Sequence, residues 1–401
     1  MRQQRWGKVK VIGLVLLTYV FAKFQGGFAS WFLFYSSLVF LAYELLTYLL
    51  LFATLEVVRE IDRTRLQDGD DVIVTIRLRR RIWFPLGWNM VLEPLPERLA
   101  GVYEPHRQLV FPWLKREVEF RYVIPNLPRG HYRLTDCVVS GGDFFGFIVQ
   151  RKVFPLSHEF LVYPSYRNVE HWALGDGSFS GNVHVSHRRS DDVAAVRGVR
   201  EYHRGDRLSQ IHWRASARGT GLKTKEFEHQ AMNQAVFFLD VEKASYEKLP
   251  EPLFETAVKL TASLIAYANR QQYHYGLVYK QTERLSITPA LSHTHFLHVF
   301  DQLARVMPQG VDSFSRIVGR EALEQPQGVT LIIVTPRVGK ELLGRLIALA
   351  QKGRRIQLFL VRTEAALSPE QSKVMQLLTA SKVACTSVHI DDDEWKRIGG
   401  A

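Results

Sequence analysis

Between residues 196 and 230 the chain reads VRGVREYHRGDRLSQIHWRASARGTGLKTKEFEHQ. Arg200, Arg204, Arg207, Arg214, Arg218, Lys223 and Lys225 alternate there with Tyr202, Trp213 and Phe227. Cations interleaved with aromatic rings could cradle phosphate or stack on nucleic acid bases. The same stretch and the residues just before it hold Asp191, Asp192, Glu201, Asp206, Glu226 and Glu228, an interleaving of signs that favours internal ion pairs over a nucleic-acid surface. The expectation is therefore a locked loop with no nucleic-acid partner. A cryptic hydrolase built from Asp206, His212 and Arg218 is an alternative reading.

Other chemistry is thin. The sequence contains no nucleophile elbow, phosphate-cradling glycine loop, zincin pair, or cysteine with a local histidine partner. Cys137 and Cys385 are the two cysteines, too few for a disulfide framework and too far apart for metal-ligand spacing. His293, His295 and His298 are close together, as are His184 and His187, but neither group has a carboxylate or thiol at metal spacing. The expectation is a non-enzymatic chain with no catalytic residues.

The elements that must position these residues begin with the N-terminus. The chain has 401 residues, 46% hydrophobic and 23% charged, a globular composition with room for two domains. Its net charge of +12 arises from 52 Lys+Arg against 40 Asp+Glu. Arg2, Arg5, Lys8, Lys10 and Lys23 all precede the first acidic residue, Glu44. Val9 to Phe24 and Phe28 to Leu55 are apolar runs separated by Gln25-Gly26-Gly27, which predicts a transmembrane hairpin over 1–55. No small-residue cleavage site parts the two runs, so a removed signal peptide is the lesser reading. The positive-inside rule places the N-terminus and the body after residue 55 in the cytoplasm of a multi-pass membrane protein.

Residues 56–166 show strand periodicity: Val72, Val74, Ile76 and Leu78 alternate with more polar positions, and further runs occupy Glu117 to Ile124 and Tyr132 to Val139. An antiparallel β-sandwich is expected. Residues 167–195 are rich in glycine and polar side chains, and read as a linker or long loop. After residue 230, strands and helices alternate: Ala235 to Val241, a helix bearing Leu253, Ala257, Leu260 and Leu264, then strands at Tyr275 to Tyr279, Val329 to Val334, Ile356 to Val361 and Val383 to Ile390. That alternation predicts a doubly wound α/β domain within 196–401, with ligands at the strand ends near Asp240, Lys280 and Thr335.

The stretch quoted first resembles the signature of the family known as domain of unknown function 58. The matching positions are Arg200, Tyr202, Gly205, Asp206, Ile211, Trp213, Ala217, Arg218, Leu222, Lys225, Glu226 and Phe227. Asp143-Phe144-Phe145-Gly146 and Val162-Tyr163-Pro164 match a turn and exit strand typical of its members. The resemblance implies two N-terminal membrane helices, a β-sandwich and a von Willebrand factor A-like α/β domain in a bacterial protein. It also implies work beside a MoxR-type AAA+ ATPase and a transglutaminase-like membrane protein, as an adaptor in assembly or maturation of a membrane or cell-envelope complex.

Metal-binding von Willebrand A-like domains use an Asp-x-Ser-x-Ser loop with a later Thr and Asp, because a hard octahedral cation wants carboxylate and hydroxyl oxygens on one rim. Here Glu242 and Ala244 replace both serines between Asp240 and Ser245, and Thr335 is followed by Pro336. The expectation is a degenerate loop with no resident cofactor, holding Mg²⁺ weakly at most. A divalent-metal-dependent adhesion-type module is the alternative.

Overall fold

The computed structural model describes residues 2–85, 87–172, 196–202, 211–218, 221–227, 234–247, 249–250, 252–364, 366–390 and 397–398. The chain divides into two compact units, Met1–Ser165 and Tyr166–Ala401.

The first unit opens with helices α1 (Arg2–Gln25) and α2 (Phe28–Leu50). Thr18 Oγ1 and Ser37 Oγ meet at 2.9 Å between them. Only α2, among the described residues, is long and apolar enough to cross a membrane. The expected pair of transmembrane helices is thus corrected to one candidate. The physical reason is composition: α1 carries Arg2, Arg5, Lys8 and Lys10 at one end and Lys23 at the other, leaving an apolar middle well short of the roughly 20 residues a span needs.

The strands that follow are β1 (Leu55–Ile61), β2 (Arg65–Gln67), β3 (Val72–Arg80) and β4 (Trp88–Glu93). After the one-turn helix α3 (Glu97–Ala100) come β5 (His106–Val110), β6 (Glu117–Ile124), β7 (Gly130–Gly142) and β8 (Val149–Tyr163). Sheet order is β1-β3-β6 in one sheet and β2-β8-β7-β4-β5 in the other. The first is antiparallel, but β2 pairs with β8 in parallel, so the second sheet is mixed. This corrects the expected antiparallel sandwich. Val72, Val74, Ile76 and Leu78 point into a core shared with Val91, Leu134, Val139 and Phe160 of the other sheet, as period-two alternation requires.

In the second unit, β9 (His171–Trp172) precedes β10 (Val196–Glu201), α4 (Trp213–Ser216), β11 (Lys223–Phe227), β12 (Gln234–Leu239), α5 (Lys243–Tyr246) and α6 (Pro252–Arg270). Then come β13 (His274–Lys280), β14 (Arg284–Ala290), α7 (His293–Arg305), α8 (Phe314–Glu324), β15 (Thr330–Thr335) and α9 (Lys340–Gln351). The chain closes with β16 (Arg355–Arg362), α10 (Pro369–Ala380), β17 (Ala384–His389) and β18 (Arg397–Ile398). Six strands form one sheet in the order β14-β13-β12-β15-β16-β17. Five are parallel, and β14 runs antiparallel at the edge, so this sheet too is mixed. The central strand β12 is buried from Ala235 to Leu239, the continuous apolar run expected of a strand covered on both faces.

Candidate functional site: a closed acid–threonine rim and an exposed signature hairpin

β12 and β15 are parallel neighbours, with Leu239 opposite Val334. Their carboxyl ends therefore place Asp240 and Thr335 side by side, where ligands of such sheets bind. Thr335 Oγ1 lies 2.7 Å from Asp240 Oδ2, and Asp240 Oδ1 accepts the Glu242 N–H at 2.9 Å. Asp240 is 1% exposed. Burial pushes its carboxyl up to about 7, against the lowering effect of the Thr335 hydroxyl, the Glu242 N–H and the Ser245 hydroxyl. Glu242 turns away from this group: its Oε2 accepts the Phe314 N–H at 2.8 Å. It thus serves the first turn of α8, whose N-cap residue Ser313 makes no side-chain cap of its own. A cleft of about 160 Å³ beside the rim is lined by Asp240, Glu242, Ser245, Ser315, Arg337 and Glu341 among others.

The expected loop positions Asp240, Glu242, Ser245 and Thr335 are thereby brought to one rim. Its carboxylate oxygens are already turned to protein partners, one set to Thr335 and a backbone N–H, the other to a helix end. Among the described residues no three His, Cys, Asp or Glu side chains gather as a metal-binding group. Lys280, expected at the same edge, instead pairs with Asp312 at 2.7 Å.

The signature segment forms a hairpin of β10 and β11. Tyr202 N–H donates to the Leu222 carbonyl at 2.9 Å and His212 N–H to that of Lys223 at 2.8 Å. The His212 Nδ1 caps α4 by accepting the Ala215 N–H at 3.0 Å, so this imidazole is occupied as a helix cap. Ser216 ties the turn down, giving its hydroxyl to the His212 carbonyl and accepting the Lys223 N–H. Ile211 is buried, whereas Trp213 is 66% and Leu222 44% exposed. Ala217 and Arg218 are also exposed. Trp213 faces outward. Gly205 and Asp206 lie outside the described residues, as do Arg204, Arg207, His184, His187 and the 173–195 part of the expected linker; the side chains of Arg200, Lys225, Glu226 and Phe227 are likewise outside the description.

The remaining candidates are structural. His295 donates from Nε2 to the Tyr275 carbonyl at 2.7 Å and packs on the Tyr275 ring. Cys137 is fully buried, and burial pushes its thiol up; the Cys385 thiol is pushed up to about 11 for the same reason. Glu44 of α2 is buried against Asp143. Asp143 in turn binds its own turn, accepting the Phe145 N–H at 2.7 Å and the Ile148 N–H at 2.6 Å. Gly146, at φ +78°, lets that turn close. Phe145 then stacks edge-on against Phe40 of α2 at 5.1 Å. The Asp-Phe-Phe-Gly turn is thus a clamp on α2.

Sequence reasoning missed Trp172. Its ring packs against Tyr267, Phe237 and Phe359, and its Nε1 donates to Gln357 Oε1 at 2.9 Å. An apolar tryptophan between polar stretches was the available signal.

A mixed α/β sheet with an acid–threonine rim follows, in the chain, a signature hairpin and a two-sheet β-unit. The chain belongs to the family described as protein of unknown function DUF58, whose profile matches residues 198–380. The uncharacterized protein YeaD of Bacillus subtilis (strain 168) is 32% identical over 345 residues, 83% of this chain and 84% of that protein. Among solved structures, the sporulation control protein Spo0M of Bacillus subtilis shows 10% identity and a TM-score of 0.16, over 27% of this chain and 49% of its own. The C-terminal domain of Wzt shows 15% identity and a TM-score of 0.17, over 32% and 81%. Scores of this size define no shared fold.

Proposed function

We propose that this chain is a membrane-anchored interaction module that works with a MoxR-type AAA+ ATPase in the assembly or maturation of a membrane or cell-envelope complex. The observation that carries a binding role is the outward placement of Trp213 and Leu222 on the signature hairpin, at 66% and 44% exposure. A large aromatic held in water by a short, hydrogen-bonded element is the usual anchor of a protein interface. Anchoring is supported by the length and composition of α2. The likeness to von Willebrand factor A domains enters only through Asp240 beside Thr335, a rim whose hydrogen bonds favour partner binding without a bridging metal. A transglutaminase-like membrane protein is the second partner in this reading.

The test is co-purification of the tagged full chain from native membranes with cross-linking and mass spectrometry, comparing wild type with Trp213→Ala and Arg218→Ala. Nucleotide-dependent capture of an AAA+ ATPase that both variants lose supports the adaptor role. Capture of no ATPase by the wild type removes it.

A further inference from the structure

A second cleft opens in the same α/β unit, away from the Asp240 rim. Four elements bring cations to it: Lys280 from β13, Arg284 from β14, Arg316 and Arg320 from α8, and Arg345 from α9. Asp312 and Glu321 are the two carboxylates in its lining, and its volume is about 440 Å³. The wall between the cations is apolar, formed by Val278, Tyr279 and Ile317. Gly319 keeps that wall low. A Cβ there would stand 2.5 Å from Arg345 Nη1, so the guanidinium lies directly on the glycine backbone.

Arg284 is held by Glu321 at 2.7 Å and Glu324 at 2.5 Å, and Arg320 by an exposed i,i+4 pair with Glu324 at 3.5 Å, which leaves Arg316 as the open cation of the cleft among the described residues. Arg316 is exposed and makes no ion pair or side-chain hydrogen bond among the described residues. Arg345 reaches Glu341 through Nη2 at 3.0 Å, while its Nε is buried with no partner. Lys280–Asp312 and Arg345–Glu341 are surface pairs whose members are 37–56% exposed. Such pairs contribute about 0–1 kcal/mol and exchange readily for a better-placed carboxylate. Asp312 is held below the usual carboxylate range chiefly by Lys280, with Arg316 adding to it, and Glu341 chiefly by Arg345, again with Arg316. Arg316 therefore stands among carboxylates without being bonded to one.

We infer that this cleft is a docking groove for an acidic peptide segment of a partner protein, whose carboxylates meet Arg316, Arg320 and Arg345 while an apolar side chain rests on Ile317 and Tyr279. Spacing favours a peptide over a single phosphate. Arg316 and Arg320 are one turn apart on α8, roughly 6 Å of rise, and carboxylates two residues apart on an extended chain lie about 6.6–7 Å apart. The apolar wall gives a nucleic acid backbone nothing to match. This inference rests on the reading of the chain as a binding module, and it names the partner's chemistry without depending on the ATPase.

The test uses the detergent-solubilised full chain and a fluorescein-labelled ten-residue peptide with Glu at alternate positions around one central Leu, followed by anisotropy at low salt. The expected result is binding that weakens by about tenfold or more in Arg316→Glu/Arg320→Glu. It should stay within about twofold of wild type in Arg107→Glu/Arg151→Glu, which makes the same charge change at exposed strand positions of the other unit. The milder Arg316→Gln/Arg320→Gln pair, compared with wild type by thermal melting, separates loss of binding from loss of fold. Equal weakening in both reversed pairs overturns the inference, since net charge alone would then explain it. So does failure of the wild type to bind the peptide, or capture of phosphatidylglycerol vesicles or a single-stranded oligonucleotide through the same arginines without peptide binding. ATPase capture retained by Arg316→Glu/Arg320→Glu, with peptide binding lost, keeps this groove and the hairpin interface as separate sites.

Discussion

Thr335 Oγ1 lies 2.7 Å from Asp240 Oδ2 and 2.9 Å from the Arg337 carbonyl oxygen, while it accepts the Arg337 N–H at 3.2 Å. A threonine hydroxyl has one proton to give. With Asp240 ionised, either its Oδ2 or the Arg337 carbonyl goes without. With Asp240 neutral, its O–H donates to Thr335, Thr335 donates to Arg337, and the buried network is complete. The geometry and the upward displacement of the Asp240 carboxyl to about 7 point the same way.

Stability should therefore depend on pH through Asp240. A folded-state value of about 7 against an unfolded one near 3.9 means the folded chain holds the extra proton between them. The contribution is fully present below about pH 4 and is lost as pH rises through about 7, on the order of 4 kcal/mol in all. Asp240→Asn keeps an acceptor for the Glu242 N–H and supplies an N–H donor to Thr335, so its melting temperature should lose this pH dependence and exceed that of wild type above pH 8. Thermal melts from pH 4 to 9 measure it; parallel curves for both proteins would refute the neutral assignment.

Glu242 should act as a helix cap. Removing its carboxylate in Glu242→Ala leaves the Phe314 N–H of α8 unpaired and should cost about 1 kcal/mol. Calorimetric titration with Mg²⁺ should give the same trace for wild type, Asp240→Ala and Glu242→Ala. Heat of binding that disappears in Asp240→Ala would instead establish the adhesion-type metal site.

Between the sheets of the first unit, Arg59 Nη2 donates to Glu93 Oε1 at 2.8 Å with both side chains fully buried, and the Tyr122 hydroxyl donates to Glu93 Oε2 at 3.1 Å. Glu93→Gln should destabilise by roughly 3–5 kcal/mol, because it strands a buried guanidinium. Arg59→Met/Glu93→Leu should recover most of that loss in chemical denaturation. A double variant as unstable as the single one would mean the pair contributes through packing and not through charge.

Trp172→Ala should cost about 3–5 kcal/mol, since the ring fills the space between Tyr267, Phe237 and Phe359. Unfolding of the second unit followed by urea titration reads the loss, and a change below about 1 kcal/mol would show that β9 is not part of that core.

Periodicity made several strands legible before any coordinates. Val72, Val74, Ile76 and Leu78 alternate and are buried as a set, and the apolar runs at 235–239 and 330–335 lie in the centre of the six-stranded sheet. The edge strand β14 and helix α8 were not read. β14 has no fully buried position, its residues being exposed or half-buried; α8 carries Arg316, Arg320 and Glu324 along with its apolar positions. The parallel pairing of β2 was equally hidden, because three residues carry no directional signal. The second basic cleft depends on those two missed elements, so it was invisible as well.

What the sequence determined by itself is local and periodic: where apolar side chains recur at two or at three and four, where α2 becomes long enough to cross a membrane, and which residues carry the family signature. Those properties follow from side-chain chemistry along the chain. Only the tertiary structure decided which distant groups meet. The strand pattern put Asp240 and Thr335, 95 positions apart, at one sheet edge, but their hydrogen bond depends on two parallel strands ending together in the fold. Glu242 is drawn off to α8, Trp213 is turned to water, and five cations from four elements line one cleft. Hydrogen-bond saturation, burial and exposure are relations between segments, and no spacing in the linear chain encodes them.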